Sequence, residues 1–298
     1  MVREPHPFAP ESITTVFAAL FVATTAAVRP ATAALIMSDG YDRLKAHRQW
    51  IPATEESMDS NYKAYDHVAS FERLDAILAQ SNSNFEEKKS LPDRDELTFD
   101  NGFYASGTAL FIDIRDSSQL PDLYNRPALA KMYRAFISEM VAVFNSHPKG
   151  REINIVGDCV WGLYNTPYKS DINSVFSLAA QANSLLKVLN YKLDKAGYKT
   201  PIKCGLGAAY GRALMIKAGQ KGSTISDVVY MGDVVNEAAE LASQASKGTA
   251  LSFLMEQDFQ SNLNEANKPL TAYDLERGCF SASVINVVTE KWYSENCT

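Results

Sequence analysis

Two aspartates 45 residues apart, Asp113 and Asp158, are each set against a run of β-forming residues. Asp113 comes near the end of Gly107-Thr108-Ala109-Leu110-Phe111-Ile112-Asp113-Ile114, and Asp158 sits in the Gly157-Asp158 turn between residues 153–156 and 159–164. Glycine then aspartate between two such runs predicts a tight hairpin, because both residues tolerate the backbone twist the turn needs. An acid at a hairpin tip beside an acid at the end of a neighbouring strand makes a two-carboxylate cation site. Carboxylate oxygens suit Mg²⁺ or Mn²⁺, and two-metal sites recur in phosphoryl chemistry. Taken singly, each aspartate reads as a turn former or a strand-end residue. The pair, together with the downstream segments, points to chemistry.

The elements that must position these acids follow from periodicity. Residues 41 to about 81 read as helical, with Tyr65, Val68, Phe71, Leu74, Ile77 and Leu78 on a helical period. Ser81-Asn82-Ser83-Asn84 and residues 86–95 read as a linker or loop. From Phe103 onward the order is strand, helix, paired strands, helix and further strands. The first of these helices spans residues 126 to about 146, with Leu129, Met132, Tyr133, Phe136, Met140, Val143 and Phe144 on one face. Asp171 is placed to cap the second, which runs to about Ala196 and stops at Gly197. Two β-rich runs, 203–210 and 213–217, flank Gly211, and Val228-Val229-Tyr230-Met231 adds a short strand. Strand–helix–strand–strand–helix–strand is the ferredoxin-like βαββαβ arrangement, an α+β fold. Its antiparallel sheet is expected to carry helices on one face and to leave the other for a partner or substrate.

A fourth segment, Met231-Gly232-Asp233-Val234-Val235-Asn236-Glu237-Ala238-Ala239-Glu240-Leu241, turns at Gly232 into a helix carrying Asn236 on an alanine-rich face. Together these segments resemble the class III nucleotidyl cyclases, the adenylyl/guanylyl cyclase catalytic domain. That family shows an F-x-D-I strand end, a G-D hairpin, a glycine-rich hairpin and a G-x-x-V-N-x-A-x-x-L helix. Here they are Phe111-Ile112-Asp113-Ile114, Gly157-Asp158, Gly205-Leu206-Gly207 with Gly211, and the helix that follows Gly232. The resemblance covers roughly residues 103 to 290. It implies cyclisation of a nucleoside triphosphate with release of pyrophosphate. Asp113, Asp158 and the backbone carbonyl of Ile114 would hold two Mg²⁺ or Mn²⁺ ions, and Asn236 would orient the ribose. It further implies a homodimer with two equivalent sites at the interface, metals from one subunit and the asparagine from the other.

Three departures bear on chemistry. The family arginine four residues after the asparagine is Glu240, and a carboxylate cannot neutralise phosphate. Arg115, Arg212, Lys217 and Lys221 are the replacement candidates, with Arg115 taken as catalytic and Arg212 as substrate-binding. The base-reading positions of the family, lysine or glutamate and aspartate or cysteine, are Asn154 and Val229. Neither purine code is present. An amide donates and accepts, so Asn154 can pair with uracil or cytosine, while Trp161, Tyr164, Tyr210 and Tyr230 are bulky enough to fill the remaining space. The runs 112–118, 133–139 and 152–161 are similar to the bacterial pyrimidine cyclases of the Pycsar antiphage system, which make cyclic UMP or cyclic CMP for a separate effector. UTP is the first choice of substrate and CTP the second. The alternatives are an adenylyl or guanylyl cyclase with an altered base pocket, or a non-catalytic pseudocyclase, for which Glu240 speaks.

Composition sets the remaining bounds. With 298 residues, 46% hydrophobic and 21% charged, the chain has material for a sizeable core. A net charge of −6 argues against a nucleic-acid partner. Four scattered cysteines, Cys159, Cys204, Cys279 and Cys297, fit reduced cytosolic thiols, and four dispersed histidines offer neither a zinc site nor a catalytic triad. Residues 12–28 carry no charge, yet fall short of the roughly 20 residues of a membrane span, and Arg3 is followed at once by Glu4, unlike a signal peptide. The reading is therefore a poorly structured or mis-assigned segment over 1–36, with translation starting at Met37, a helical extension over 37–100 and a cyclase domain over 101–298, in the cytoplasm.

Overall fold

The computed structural model describes residues 60–297. Along the chain come α1 (His67–Leu78), β1 (Phe85–Glu87), β2 (Gly102–Ile114), the short α2 (Leu120–Leu123), α3 (Arg126–Phe144), β3 (Gly150–Val156), β4 (Cys159–Tyr164) and α4 (Lys169–Lys195). Then follow β5 (Cys204–Gly219), β6 (Ser226–Met231), α5 (Asp233–Gln244), β7 (Phe253–Met255), α6 (Gln257–Ser261), β8 (Thr271–Asp274), β9 (Cys279–Ala282) and α7 (Val287–Asn296). The stretch β2-α3-β3-β4-α4-β5 is the predicted βαββαβ unit, and its strands lie side by side as β3-β4-β2-β5, each neighbouring pair antiparallel. This is the ferredoxin-like order. Beyond β5 the sheet continues through β7, β9 and β8, while β1 and β6 pair with β2 and β5.

Strand alternation decides which side each residue serves. Leu110, Ile112 and Ile114 of β2 join Met132, Phe136 and Met140 of α3 and Val175, Phe176 and Ala179 of α4 in the main core. Each such large apolar side chain, fully buried, contributes about 1.5–3 kcal/mol. Phe103, Ala105, Ala109 and Phe111 point the other way, into a second core with Val234, Ala238 and Ala242 of α5. Thus the second face is not left open, as the helix count suggested: α5 lies on it. It can do so because β5 presents glycine there. A methyl group on Gly207 would lie 2.2 Å from Ala238 O, and one on Gly205 2.4 Å from Ala242 O.

Several local expectations need correction. The linker over 81–95 contains β1, paired in parallel with the start of β2, and continues to Leu91 and Leu97, both buried in the second core. Two glutamates in β1 hid the strand, since backbone pairing rather than side-chain propensity holds it. The runs on either side of Gly211 form one strand, β5, whose turn comes later, between Gly219 and Ser226. Asp171 lies inside α4, where its carboxylate accepts the Tyr168 N–H at 3.2 Å. Within the expected helix over 41–81, α1 alone is helical among the described residues, and positions 41–59 lie outside them. Its periodic residues Val68, Phe71, Leu74, Ile77 and Leu78 are exposed, so the period is helical but no core among the described residues answers it. Among the described residues, no helix is long and apolar enough to cross a membrane, and all four cysteines are unpaired.

Candidate active site

The antiparallel register brings the two aspartates together. Ile112 of β2 pairs with Val160 of β4, so Asp113, one residue on, lies beside the β3–β4 turn that holds Asp158. That turn is two residues long, closed by Val156 and Cys159, with Gly157 at φ +63. Asp113 shares the face of Phe111, the side on which α5 lies. Burial, then the charge of Asp158, pushes the Asp113 carboxyl above its usual range, with Arg115 and Lys247 pulling it back. Asp158 Oδ2 is buried and without a hydrogen-bond partner. Two hard oxygen donors that repel each other, one of them unsatisfied, are the donor set a divalent cation fits. Among the described residues no group of three or more His, Cys, Asp or Glu has metal-holding geometry. A cation here would have only these two acids as side-chain ligands of that kind, with backbone oxygen such as the Ile114 carbonyl to complete its shell. Cys159, next to both acids, has its thiol pushed up to about 12 by burial and by their charges, which favours the protonated form.

Asn236 lies in the first turns of α5, exposed, with Glu240 one turn further on and also exposed, while Val234, Ala238 and Leu241 are buried beneath. Asn154 of β3 lies directly opposite Trp161 of β4. Trp161 stacks on Phe111 at 5.2 Å and meets the edge of Tyr230 at 6.1 Å, forming an aromatic wall beside Asn154. Behind it stands Glu152, 10% exposed, two residues before Asn154 and therefore on the same face. Glu152 accepts from Tyr230 Oη at 2.8 Å and from Arg94 Nη1 at 2.6 Å, and Arg94 also pairs with Asp227. Sequence reasoning missed this network because Arg94 comes from the supposed linker. It missed Lys247 as well, which lies in an unremarkable turn after α5.

Other candidates are held apart. Val229 pairs with Ile216, whereas Tyr230 and Met215 form the next pair and belong to the second core, so Val229 points to the opposite face from Asn154. Arg212 lies on that opposite face too, over the Tyr104 ring at 3.9 Å and paired with Glu87 of β1. Lys217, over the Phe99 ring, belongs to the far end of β5, and Lys221, paired with Asp100, to the turn just after it. Twelve residues separate Lys217 from Gly205, the partner of Asp113, which is about 40 Å of strand. Of the four aromatics, Tyr164 and Tyr210 belong to the α3–α4 core.

No protein-family model matches the chain. A protein of Gulbenkiania mobilis named uridylate cyclase is 44% identical over 196 residues, 64% of this chain and 76% of that one. A second, from Treponema porcinum, bears the same name and is 37% identical over 206 residues, 69% of this chain and 71% of that one. The chain belongs to the uridylate cyclase family. These are nucleotidyl cyclases, and the fold agrees. A class III adenylyl cyclase-like ATP-binding protein from Pseudomonas aeruginosa superposes with a TM-score of 0.58 at 17% identity, over 76% of this chain and 48% of that one.

Proposed function

We propose that this protein converts a pyrimidine nucleoside triphosphate, UTP first and CTP second, to its 3′,5′-cyclic nucleotide and pyrophosphate. The observation that carries this reading is the acid pair at the head of the family fold, with Asp158 Oδ2 buried and unsatisfied. In the reaction the ribose 3′-hydroxyl loses its proton and attacks the α-phosphate in line, so catalysis is mainly positioning and charge neutralisation. Mn²⁺ or Mg²⁺, two ions in the family pattern, supplies Lewis acidity toward the hydroxyl and the triphosphate when bound to Asp113, Asp158 and the Ile114 carbonyl.

The protein's own groups do the rest. Asp113 and Asp158 provide the negative charge that gathers the cation. Asn236, exposed on α5, is offered to the ribose of a site completed by a second copy, in a homodimer. Asn154 reads the base, donating and accepting along one edge. Trp161 and Tyr230 narrow the space beside it, which supports a pyrimidine over a purine. The product is a second messenger for a separate effector in antiphage defence, made in the cytoplasm; this rests on the resemblance to the Pycsar cyclases.

The test is incubation of the purified protein with ATP, GTP, CTP and UTP and Mn²⁺, products read by mass spectrometry. Cyclic UMP, with cyclic CMP as the lesser product, is the expected result. Cyclic AMP or cyclic GMP would overturn the reading of Asn154, and no product from any triphosphate would favour a non-catalytic role. Asp113→Ala and Asp158→Ala abolish turnover while the dimer persists. Asn154→Ala shifts the ratio of rates among the four triphosphates more than it shifts Mn²⁺ binding.

A further inference from the structure

Two residues beyond Asp113 the chain sends Arg115 back toward it. Nη2 donates to Asp113 Oδ2 at 2.7 Å, and Nη1 donates to the carbonyl of Ser243, in the last turn of α5, at 2.6 Å. The Arg115 side chain is 5% exposed, and its backbone N–H donates to Lys203 O at 2.7 Å. Its Nε is buried without a partner. Burying a guanidinium is costly unless charge and hydrogen bonds offset it. Here one carboxylate and a helix C-terminus, whose dipole favours a cation, supply that offset. Both terminal nitrogens are engaged and little of the side chain meets solvent, so no edge is offered to a triphosphate.

The helix end and the acid are held at the same place by packing as well. Asp113 pairs with Gly205, and α5 closes so tightly on Gly205 that a methyl group there would lie 2.4 Å from Ala242 O, near the helix end, and 2.8 Å from the O of Ala245, just past it. We propose that Arg115 is a positioning residue of the acid pair, clamping Asp113 Oδ2 to the end of α5 so that the carboxylate meets a divalent cation in one fixed orientation. The inference rests on the cation reading given above. It also ties the acids to Asn236, which rides on the same helix about 10 Å from Ser243.

Mn²⁺ binding to the full chain without nucleotide, followed by electron paramagnetic resonance, tests this alongside UTP turnover and thermal melting. Arg115→Gln removes the charge and Arg115→Lys keeps it without the fork. Loss of a group that orients a metal ligand weakens the metal by about 10–100-fold. We expect that loss for Arg115→Gln, a smaller one for Arg115→Lys, and a lower kcat with little change in the KM for UTP at saturating Mn²⁺. Mn²⁺ affinity within twofold of wild type, with a tenfold rise in that KM, would make Arg115 a phosphate ligand and overturn the proposal. So would a lower melting temperature with unchanged Mn²⁺ affinity, the mark of a merely structural role. If Asp158→Asn binds Mn²⁺ as tightly as wild type, or wild type binds none, the cation reading itself fails.

Discussion

Adding one methyl group at Gly207 should damage this protein more than the same change at Gly211, four residues along the same strand. At Gly207 the new Cβ would sit 2.2 Å from both Ala238 O and Ala242 N, backbone atoms of α5 that cannot rotate away. Ordinary carbon contacts need about 3.5 Å, so α5 must retreat by on the order of 1 Å. At Gly211 the nearest atom is Val234 Cβ, at 3.6 Å, an ordinary contact. Overpacking of this kind costs about 1–3 kcal/mol, which lowers the melting temperature by about 2–12 °C in a domain of this size. The effect on turnover is larger. Helix α5 carries Asn236 and, through Ser243 O, holds Arg115, and a 1 Å misplacement of reacting groups is worth about 10²-fold in rate. Gly207→Ala is therefore expected to lose about two orders of magnitude in kcat, and Gly211→Ala to stay within about twofold. The assay is UTP turnover by mass spectrometry beside a thermal melt of each variant. Wild-type turnover and melting in Gly207→Ala would refute the close seating of α5 on β5, and with it the coupling of that helix to the acids.

Asp158→Asn is expected to raise the melting temperature of the metal-free protein while eliminating Mn²⁺ binding, since it ends the repulsion that helps push the Asp113 carboxyl up; a drop in melting temperature would contradict this. Tyr230→Phe removes the hydroxyl that donates to the nearly buried Glu152. A bond to a charged acceptor is worth about 1.5–3 kcal/mol, so a melt lowered by several degrees is expected, and no change would mean that Arg94 alone satisfies Glu152. Burial holds the His147 imidazole below its usual range, Asp171 and Lys149 acting in opposite senses, and its Nδ1 accepts the Lys149 N–H. The unfolded chain takes up that proton first, so stability from this group is complete above about pH 6.5 and falls as pH drops. His147→Asn, which keeps an acceptor near Nδ1, should flatten the fall in melting temperature between pH 7 and 5; an unaltered slope would assign it to other groups.

Much of the architecture was legible because it follows from local pattern. The apolar face over Leu129–Phe144 is one turn after another of α3 and packs where the period says it must. Gly157-Asp158 makes the turn that its residue types favour. What alternation and register decide was less accessible. Val229 and Tyr230 are neighbours in sequence, yet one residue of strand sends them to opposite faces, so Tyr230 rather than Val229 joins the wall beside Asn154. The glycines of β5 pointed to a turn; they are instead the floor under a helix, a role that exists only once α5 has folded back.

The sequence by itself determined the βαββαβ order, the placing of Asp113 at a strand end and Asp158 in a hairpin turn, and the presence of Asn236 on a small-residue helix, because composition and period act over a few residues at a time. Only the tertiary structure decided which partners each charge has. Arg115 reads as a free cation until Ser243, 128 residues away, supplies the carbonyl that closes its second nitrogen. Arg94 reads as part of a linker until Glu152 and Asp227 meet it from two separate strands. A buried charge is stable only where its partners converge, and convergence across that much chain is a property of the fold.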